Sequence, residues 1–98
     1  WGPGVGLSIG AAPVVQVIGR TLRWNDVRGA TRYEVLIQLE STPGRYADFV
    51  RTTAQLTTMI DLTTSKSGHY RAWVRAVRDE SGTHYNSLWS PLLQFDLV

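Results

Sequence analysis

Arginine and tryptophan alternate in one short stretch, and these are the residues best suited to form a binding or clamping surface. Residues 69–77 read HYRAWVRAV, which places Arg71, Trp73 and Arg75 on every second position. In a β-strand such positions share a face about 7 Å apart, so that a guanidinium group can stack on an indole ring. Trp89, in the following segment, can extend this row. We expect Arg71, Trp73, Arg75 and Trp89 to form a structural clasp between strands; the alternative is a recognition face.

The aromatic residues could also serve a carbohydrate-binding surface. The chain has four tryptophans and four tyrosines among 98 residues, and sugar-binding sandwiches present exposed rings as flat platforms. The rings expected outside the core are Trp73, Trp89, Tyr46 and Tyr85. The simpler interpretation places one tryptophan in the core and another in the clasp. We therefore expect no contiguous strip of exposed rings.

Two polar segments have the composition of binding loops. Residues 25–31 (NDVRGAT) and 79–86 (DESGTHYN) combine turn-forming residues with charged and aromatic side chains. Binding residues often lie on loops that a rigid scaffold holds in place. We expect the second segment to be a long hairpin loop at the same end of the molecule as the first. The simpler interpretation is that this hairpin is merely solvated and binds nothing. The candidate binding residues are Asp26, Arg28, Asp79, Glu80, His84 and Tyr85.

The sequence does not favour catalysis or a cofactor. It contains no Gly-x-Ser-x-Gly or His-Glu-x-x-His pattern, and its only histidines are His69 and His84. The absence of cysteine excludes thiol catalysis, and the acidic residues lack calcium-loop spacing. The net charge of +2, with nine arginines spread along the chain, argues against a nucleic-acid partner. We expect no enzyme activity, no cofactor, no metal and no membrane-spanning segment.

The elements that must position these residues are β-strands. Tyr70, Ala72, Val74 and Ala76 form an apolar row opposite the arginines, which predicts a half-buried central strand. A second alternating strand is predicted over residues 32–40, where Glu34 could pair with an arginine of the clasp.

Five further short strands complete a predicted set of seven, and no segment has helical periodicity. They are placed at 13–17, 21–24, 46–51, around 56–62 and at 92–98. In the fourth of these, either Leu56, Ile60 and Leu62 or, after a local irregularity, Met59 should face the core. Residues 1–12 are glycine-rich and predict a flexible linker. The predicted core is Val15, Val17, Leu22, Trp24, Tyr33, Val35, Ile37, Leu62, Tyr70, Ala72, Val74, Ala76 and Phe95.

The order of these residues resembles that of a fibronectin type III domain over residues 13–98. The resemblance rests on Trp24, on GATRYEV at 29–35, on Leu62, on YRAWVRA at 70–76 and on SLWSP at 87–91. It implies an all-β, seven-stranded antiparallel immunoglobulin-like sandwich with sheets of three and four strands. Trp24 would be the central core aromatic. Tyr70 would be a corner tyrosine whose hydroxyl bonds to the backbone after Leu62. Trp24, Tyr33, Leu62 and Tyr70 serve as core markers.

The resemblance is greatest to repeats of large bacterial surface or secreted proteins. It implies a non-catalytic structural, adhesion or protein-interaction module of a larger extracellular or cell-surface protein. Because the sequence begins at Trp1, we expect neighbouring domains in a parent protein, and a monomeric module with a protein or glycan ligand. The alternative is a carbohydrate-binding accessory module that uses exposed aromatic residues.

Overall fold

A computed structural model describes residues 12–98, which form eight β-strands and no helix. The linker expected at 1–12 lies, except for Ala12, outside the described residues. Among residues 12–98 there is no helix capable of crossing a membrane. The strands are β1 (Val15–Ile18), β2 (Thr21–Trp24), β3 (Arg32–Thr42), β4 (Arg45–Gln55), β5 (Met59–Asp61), β6 (Gly68–Glu80), β7 (Thr83–Asn86) and β8 (Leu93–Leu97).

The strands form two antiparallel sheets. The smaller sheet has the order β1-β2-β5, and the larger has the order β4-β3-β6-β7, with β8 also paired to β6. Because β7 and β8 pair with successive parts of β6, the larger sheet has five strands rather than the expected four. An all-β chain with two packed sheets is consistent with a β-sandwich.

The core lies between the inner rows of the two sheets, where the alternation predicted it. Tyr70, Ala72, Val74 and Ala76 on β6 are completely buried. All thirteen predicted core residues belong to the core cluster or pack against it, and Leu97 is an additional member. The alternation of apolar and polar residues therefore correctly predicted which face of the central strands is buried.

Tyr70 makes the hydrogen bond expected of a corner tyrosine. Its hydroxyl donates to the carbonyl of Lys66 at 2.6 Å, in the segment that follows Leu62. Its ring stacks on Phe95 with centroids 5.5 Å apart. Burial of this ring raises the pKa of the Tyr70 hydroxyl above its ordinary value, because the charged form would lose its hydration.

The expected long loop at residues 79–86 is wrong. The strand β6 continues to Glu80, and β7 returns along it after a two-residue turn at Ser81 and Gly82. Both turn residues have positive φ, 51° and 80°, the geometry that matches the twist of a tight hairpin. Most side chains of this hairpin are exposed, so the sequence lacks the apolar alternation by which buried strands are found.

The range predicted for the next strand, 46–51, is also too short, because β4 has eleven residues. Its pairing with β3 shifts register near Phe49 and again between Thr52 and Gln55. Such bulges break the period of two and twist an edge strand away from further pairing. In the segment where a strand was predicted around 56–62, β5 covers only Met59–Asp61. Ile60 packs on the core and Leu62 is buried, whereas Leu56 is 77% exposed, so the expected inward position of Leu56 is wrong. Met59 is also exposed.

Arg20 closes the opposite end of the molecule from the hairpin turn. Its guanidinium donates to the carbonyls of Leu62 at 3.3 Å, Thr63 at 3.2 Å and Val98 at 2.6 Å, and also to that of Ser65. One side chain thus satisfies carbonyl groups of the segment before β6 and of the end of β8.

Candidate functional site: the outer face of the larger sheet and the hairpin end

The segment between β7 and β8 is fastened to β6 by two serine side chains. Ser87 Oγ accepts the Ala76 N–H, and Ser90 Oγ accepts the Val74 N–H, each at 2.9 Å. The two serines return their own N–H groups to the carbonyls of Ala76 and Val74. The backbone groups of β6 therefore remain paired where the neighbouring strand is interrupted. Between the serines, Leu88 and Trp89 are exposed.

Trp89 lies beside the expected clasp arginine. The guanidinium carbon of Arg75 is 4.6 Å from the centre of the Trp89 ring, within the range of a cation–π contact. Arg75 Nε also donates to Glu34 Oε1 at 2.5 Å across the sheet. The expected pairing of Glu34 with a clasp arginine is confirmed. The side chain of Glu34 is only 15% exposed, so this ion pair is partly shielded from water.

The second half of the row is built around Arg71. Its guanidinium carbon lies 3.8 Å from the centre of the Tyr46 ring and 5.3 Å from that of Trp73. Its Nε donates to Gln38 Oε1 at 2.7 Å, and the Gln38 amide in turn donates to Asp48 at 3.0 Å. The four clasp residues therefore occupy one face, as expected. They form two separate stacks rather than a single ladder.

A shallow cavity of about 410 Å³ lies between the two stacks. Trp73 and Leu36 occupy directly opposite positions on β6 and β3, as do Arg71 and Gln38. Of the rings expected outside, Trp89 is 41% exposed, and Trp73, Tyr46 and Tyr85 are half-buried. The lining of the cavity is Leu36, Gln38, Arg71, Trp73 and Trp89.

The hairpin end is fixed by hydrogen bonds between the start of β3 and the end of β6. Thr31 Oγ accepts the Asp79 N–H at 2.9 Å, and the Thr31 N–H donates to Val77 at 2.8 Å. Arg32 Nε donates to Asp79 Oδ2 at 2.8 Å, and His84 Nδ1 contacts Asp79 Oδ1. The loop at 25–31 and the hairpin turn are therefore at the same end of the molecule.

Asp79 is the centre of these contacts, and its pKa reflects them. The hydrogen bonds from Arg32 and His84 stabilise the ionised carboxylate and lower the pKa of Asp79 from 3.8 to about 2. Arg32 also donates to Glu34 at 3.3 Å. Because Glu34 receives Arg75 as well, charged contacts run continuously from Trp89 on the sheet face to His84 at the hairpin.

The remaining candidate loop residues are less constrained. Asp26 and Arg28 are exposed in the first loop, where the Val27 N–H donates to the Tyr33 hydroxyl at 2.9 Å. Glu80 pairs with Arg78 at 2.5 Å. Tyr85 is half-buried on β7, opposite Arg78. The structure thus joins Asp79 and His84 directly, whereas in the described residues no side-chain hydrogen bond or ion pair links the other four to this pair.

Each histidine contacts a different aspartate, so the two do not form a common site. His69 Nδ1 lies 2.7 Å from Asp96, and its Nε2 lies 3.0 Å from the Gln94 amide oxygen. The hydrogen bond with Asp96, followed by that with Gln94, raises the pKa of His69. Within residues 12–98, no group of three or more histidine, aspartate and glutamate side chains is arranged to hold a metal ion.

Sequence reasoning missed several residues that build these surfaces. Gln38 and Leu36 lie in the strand predicted over residues 32–40 but were not assigned to a site, and Arg32 was not selected. The opposed positions of alternating rows on adjacent strands could have indicated Gln38 beside Arg71. Ser87 and Ser90 entered only through the family resemblance, since a buried serine that replaces a strand partner has no local pattern.

Comparisons with protein-family models, with curated proteins and with solved structures found no match for this chain.

Proposed function

We propose that this chain is a non-catalytic structural or interaction module of a larger extracellular or cell-surface protein. The observation that carries the proposal is the joining of the loop at 25–31 and the β6–β7 hairpin at one end of a rigid scaffold. Asp79 connects the hairpin to β3 through Thr31 and Arg32, while Asp26 and Arg28 remain exposed beside it. A surface held rigid before binding loses little conformational freedom on contact with a partner.

We further propose that the fold is of the fibronectin type III, immunoglobulin-like kind. The Tyr70 hydroxyl bond to Lys66 supports this assignment. So does Trp24, which is buried and packs edge-on against Tyr33 with ring centroids 5.6 Å apart. The resemblance to bacterial surface repeats suggests a bacterial secreted or surface parent protein, with the module placed between neighbouring domains and acting as a monomer.

Labelling of intact cells tests the location. An antibody raised against the module should bind cells of the source organism without permeabilisation, or should detect the protein in the culture medium. Detection only after permeabilisation would refute an extracellular or surface position.

Site-directed photo-crosslinking tests the role. A photoreactive amino acid at Asp26, on the first loop, should form adducts with a partner protein or with neighbouring domains of the parent protein. The matched control replaces Arg23, an exposed residue of β2 in the other sheet. Adducts with a separate partner from position 26 alone support an interaction module, and adducts with neighbouring domains alone support a structural one. Equal or absent adducts at both positions would argue against a binding end formed by the loops.

A second candidate function is carbohydrate binding, and the cavity on the outer sheet face favours it. Pyranose rings present weakly positive C–H groups, which are attracted to the negative face of an indole. Trp73 and Trp89 supply indole rings to one cavity, and Gln38 and Arg71 supply polar groups beside them. This arrangement suits one sugar residue rather than an extended platform.

A further inference from the structure

We propose that the cavity between Trp73 and Trp89 binds a carboxylate-bearing pyranose, such as a hexuronate residue of an acidic polysaccharide. The inference rests on the second candidate function and adds the class of sugar. The volume of about 410 Å³ falls in the range of about 300–1,000 Å³ that is common for ligand pockets. The lining has the usual mixture of apolar surface and a few directed polar groups.

The charge of the lining selects an anion. Arg75 is neutralised by Glu34 at 2.5 Å, whereas no carboxylate in the described part of the chain lies within 4 Å of the Arg71 guanidinium. Arg71 uses its Nε on Gln38, and its planar faces lie near Tyr46 and Trp73. Its two terminal nitrogens are left to donate to a ligand. A carboxylate matches two guanidinium N–H groups in geometry and charge.

Arg71 is held in position before a ligand arrives. The stack on Tyr46 at 3.8 Å and the hydrogen bond to Gln38 at 2.7 Å restrict its long side chain. Asp48 binds the far side of Gln38 but pairs with Arg51 rather than with Arg71. Since the side chain is already ordered, less conformational entropy is lost when it binds a carboxylate.

The backbone around the cavity favours a sugar over an acidic peptide. The floor consists of β3 and β6, each of which has neighbouring strands on both sides. Their N–H and C=O groups are used within the sheet, so an extended peptide finds no strand edge to join there. Recognition must instead use ring faces and side-chain donors, which is how a pyranose with a carboxylate can be held.

The test compares two ligands that differ only at C6, methyl β-D-glucuronide and methyl β-D-glucoside. Indole N–H resonances are followed by NMR during titration of the full chain with each one. We expect the glucuronide to shift the Trp73 and Trp89 resonances, with the glucoside binding at least about threefold more weakly. Trp24 is buried in the core and serves as an internal reference for the fold.

Two substitutions assign the effect to the lining. Arg71→Gln should weaken binding of the glucuronide more than that of the glucoside and so reduce the preference to about onefold, because the carboxylate loses its charged partner. Arg23→Gln makes the same change of charge on the other sheet and should retain the preference. Trp89→Ala should weaken both sugars, provided that the Trp24 resonance is unmoved.

Each other result overturns the proposal in a distinguishable way. Equal affinity for the two glycosides would refute the acidic class while leaving a carbohydrate-binding role. No shift of either tryptophan resonance with either sugar would refute both the acidic class and the carbohydrate-binding role. The proposal of an interaction module would then depend on its crosslinking result. Stronger binding of acetate or of a blocked Asp-Glu-Asp peptide than of the glucuronide would show a carboxylate site without sugar recognition.

Discussion

The guanidinium carbon of Arg75 lies 4.6 Å from the centre of the Trp89 ring, and this contact joins the segment between β7 and β8 to the face of β6. It supplements the paired hydrogen bonds of Ser87 and Ser90 on the inner side of the same segment. The interrupted edge of the larger sheet is thus held from both sides.

A double-mutant cycle on Arg75→Ala and Trp89→Ala should reveal a coupling free energy of about 0.5–2 kcal/mol in chemical denaturation. The cycle isolates the cation–π contact between the two side chains. The loss of the ion pair between Arg75 and Glu34 occurs whether or not Trp89 is present and therefore cancels. The pair Arg23→Ala and Trp89→Ala, on different sheets, should be additive within about 0.5 kcal/mol. Additivity of the first pair would mean that the stack does not stabilise the fold.

Tyr70→Phe should lower the free energy of unfolding by about 1–3 kcal/mol, because the Lys66 carbonyl would lose its partly buried hydrogen-bond donor. Urea denaturation measures this loss. Tyr46→Phe keeps the ring beside Arg71 and should change stability by no more than about 0.5 kcal/mol. Equal effects of the two substitutions would remove the special role of the Tyr70 hydroxyl.

Trp24→Ala should cost about 3–5 kcal/mol, since the indole is 5% exposed and packs against Tyr33. Trp24→Phe should cost less, because it retains a ring and removes an indole N–H that is buried without a hydrogen-bond partner in the described residues. Leu88→Ala, at an exposed position, is the control. A loss below about 1 kcal/mol in Trp24→Ala, measured by denaturation, would contradict a central role.

Asp79 should make the stability of the fold depend on pH below about 4. Its pKa is lowered from 3.8 to about 2 in the folded chain, so its contribution is complete above 3.8 and is lost as the pH falls towards 2. Thermal unfolding between pH 5 and pH 2 should therefore show a smaller decline in Asp79→Asn than in the unsubstituted chain. Asp26→Asn removes an exposed carboxylate at the same end and should follow the unsubstituted chain. Parallel curves for all three would contradict the lowered pKa.

The sequence by itself determined the inner rows of the sheets. Tyr70, Ala72, Val74 and Ala76 had to face a common core, because a strand places every second side chain on one side. The opposite row, with Arg71, Trp73 and Arg75, was fixed by the same alternation. The core therefore followed from local periodicity and apolar character alone.

Only the tertiary structure decided how the polar residues pair. Arg71 stacks on Tyr46 rather than on Trp89, and Asp79 joins Arg32 and His84, because strand register brings distant residues together. The pairing of β7 with β6 and the full length of the bulged β4 were missed for a related reason. Exposed and bulged strands carry no strict apolar alternation, so their pairing is set by backbone hydrogen bonds that leave little trace in residue type.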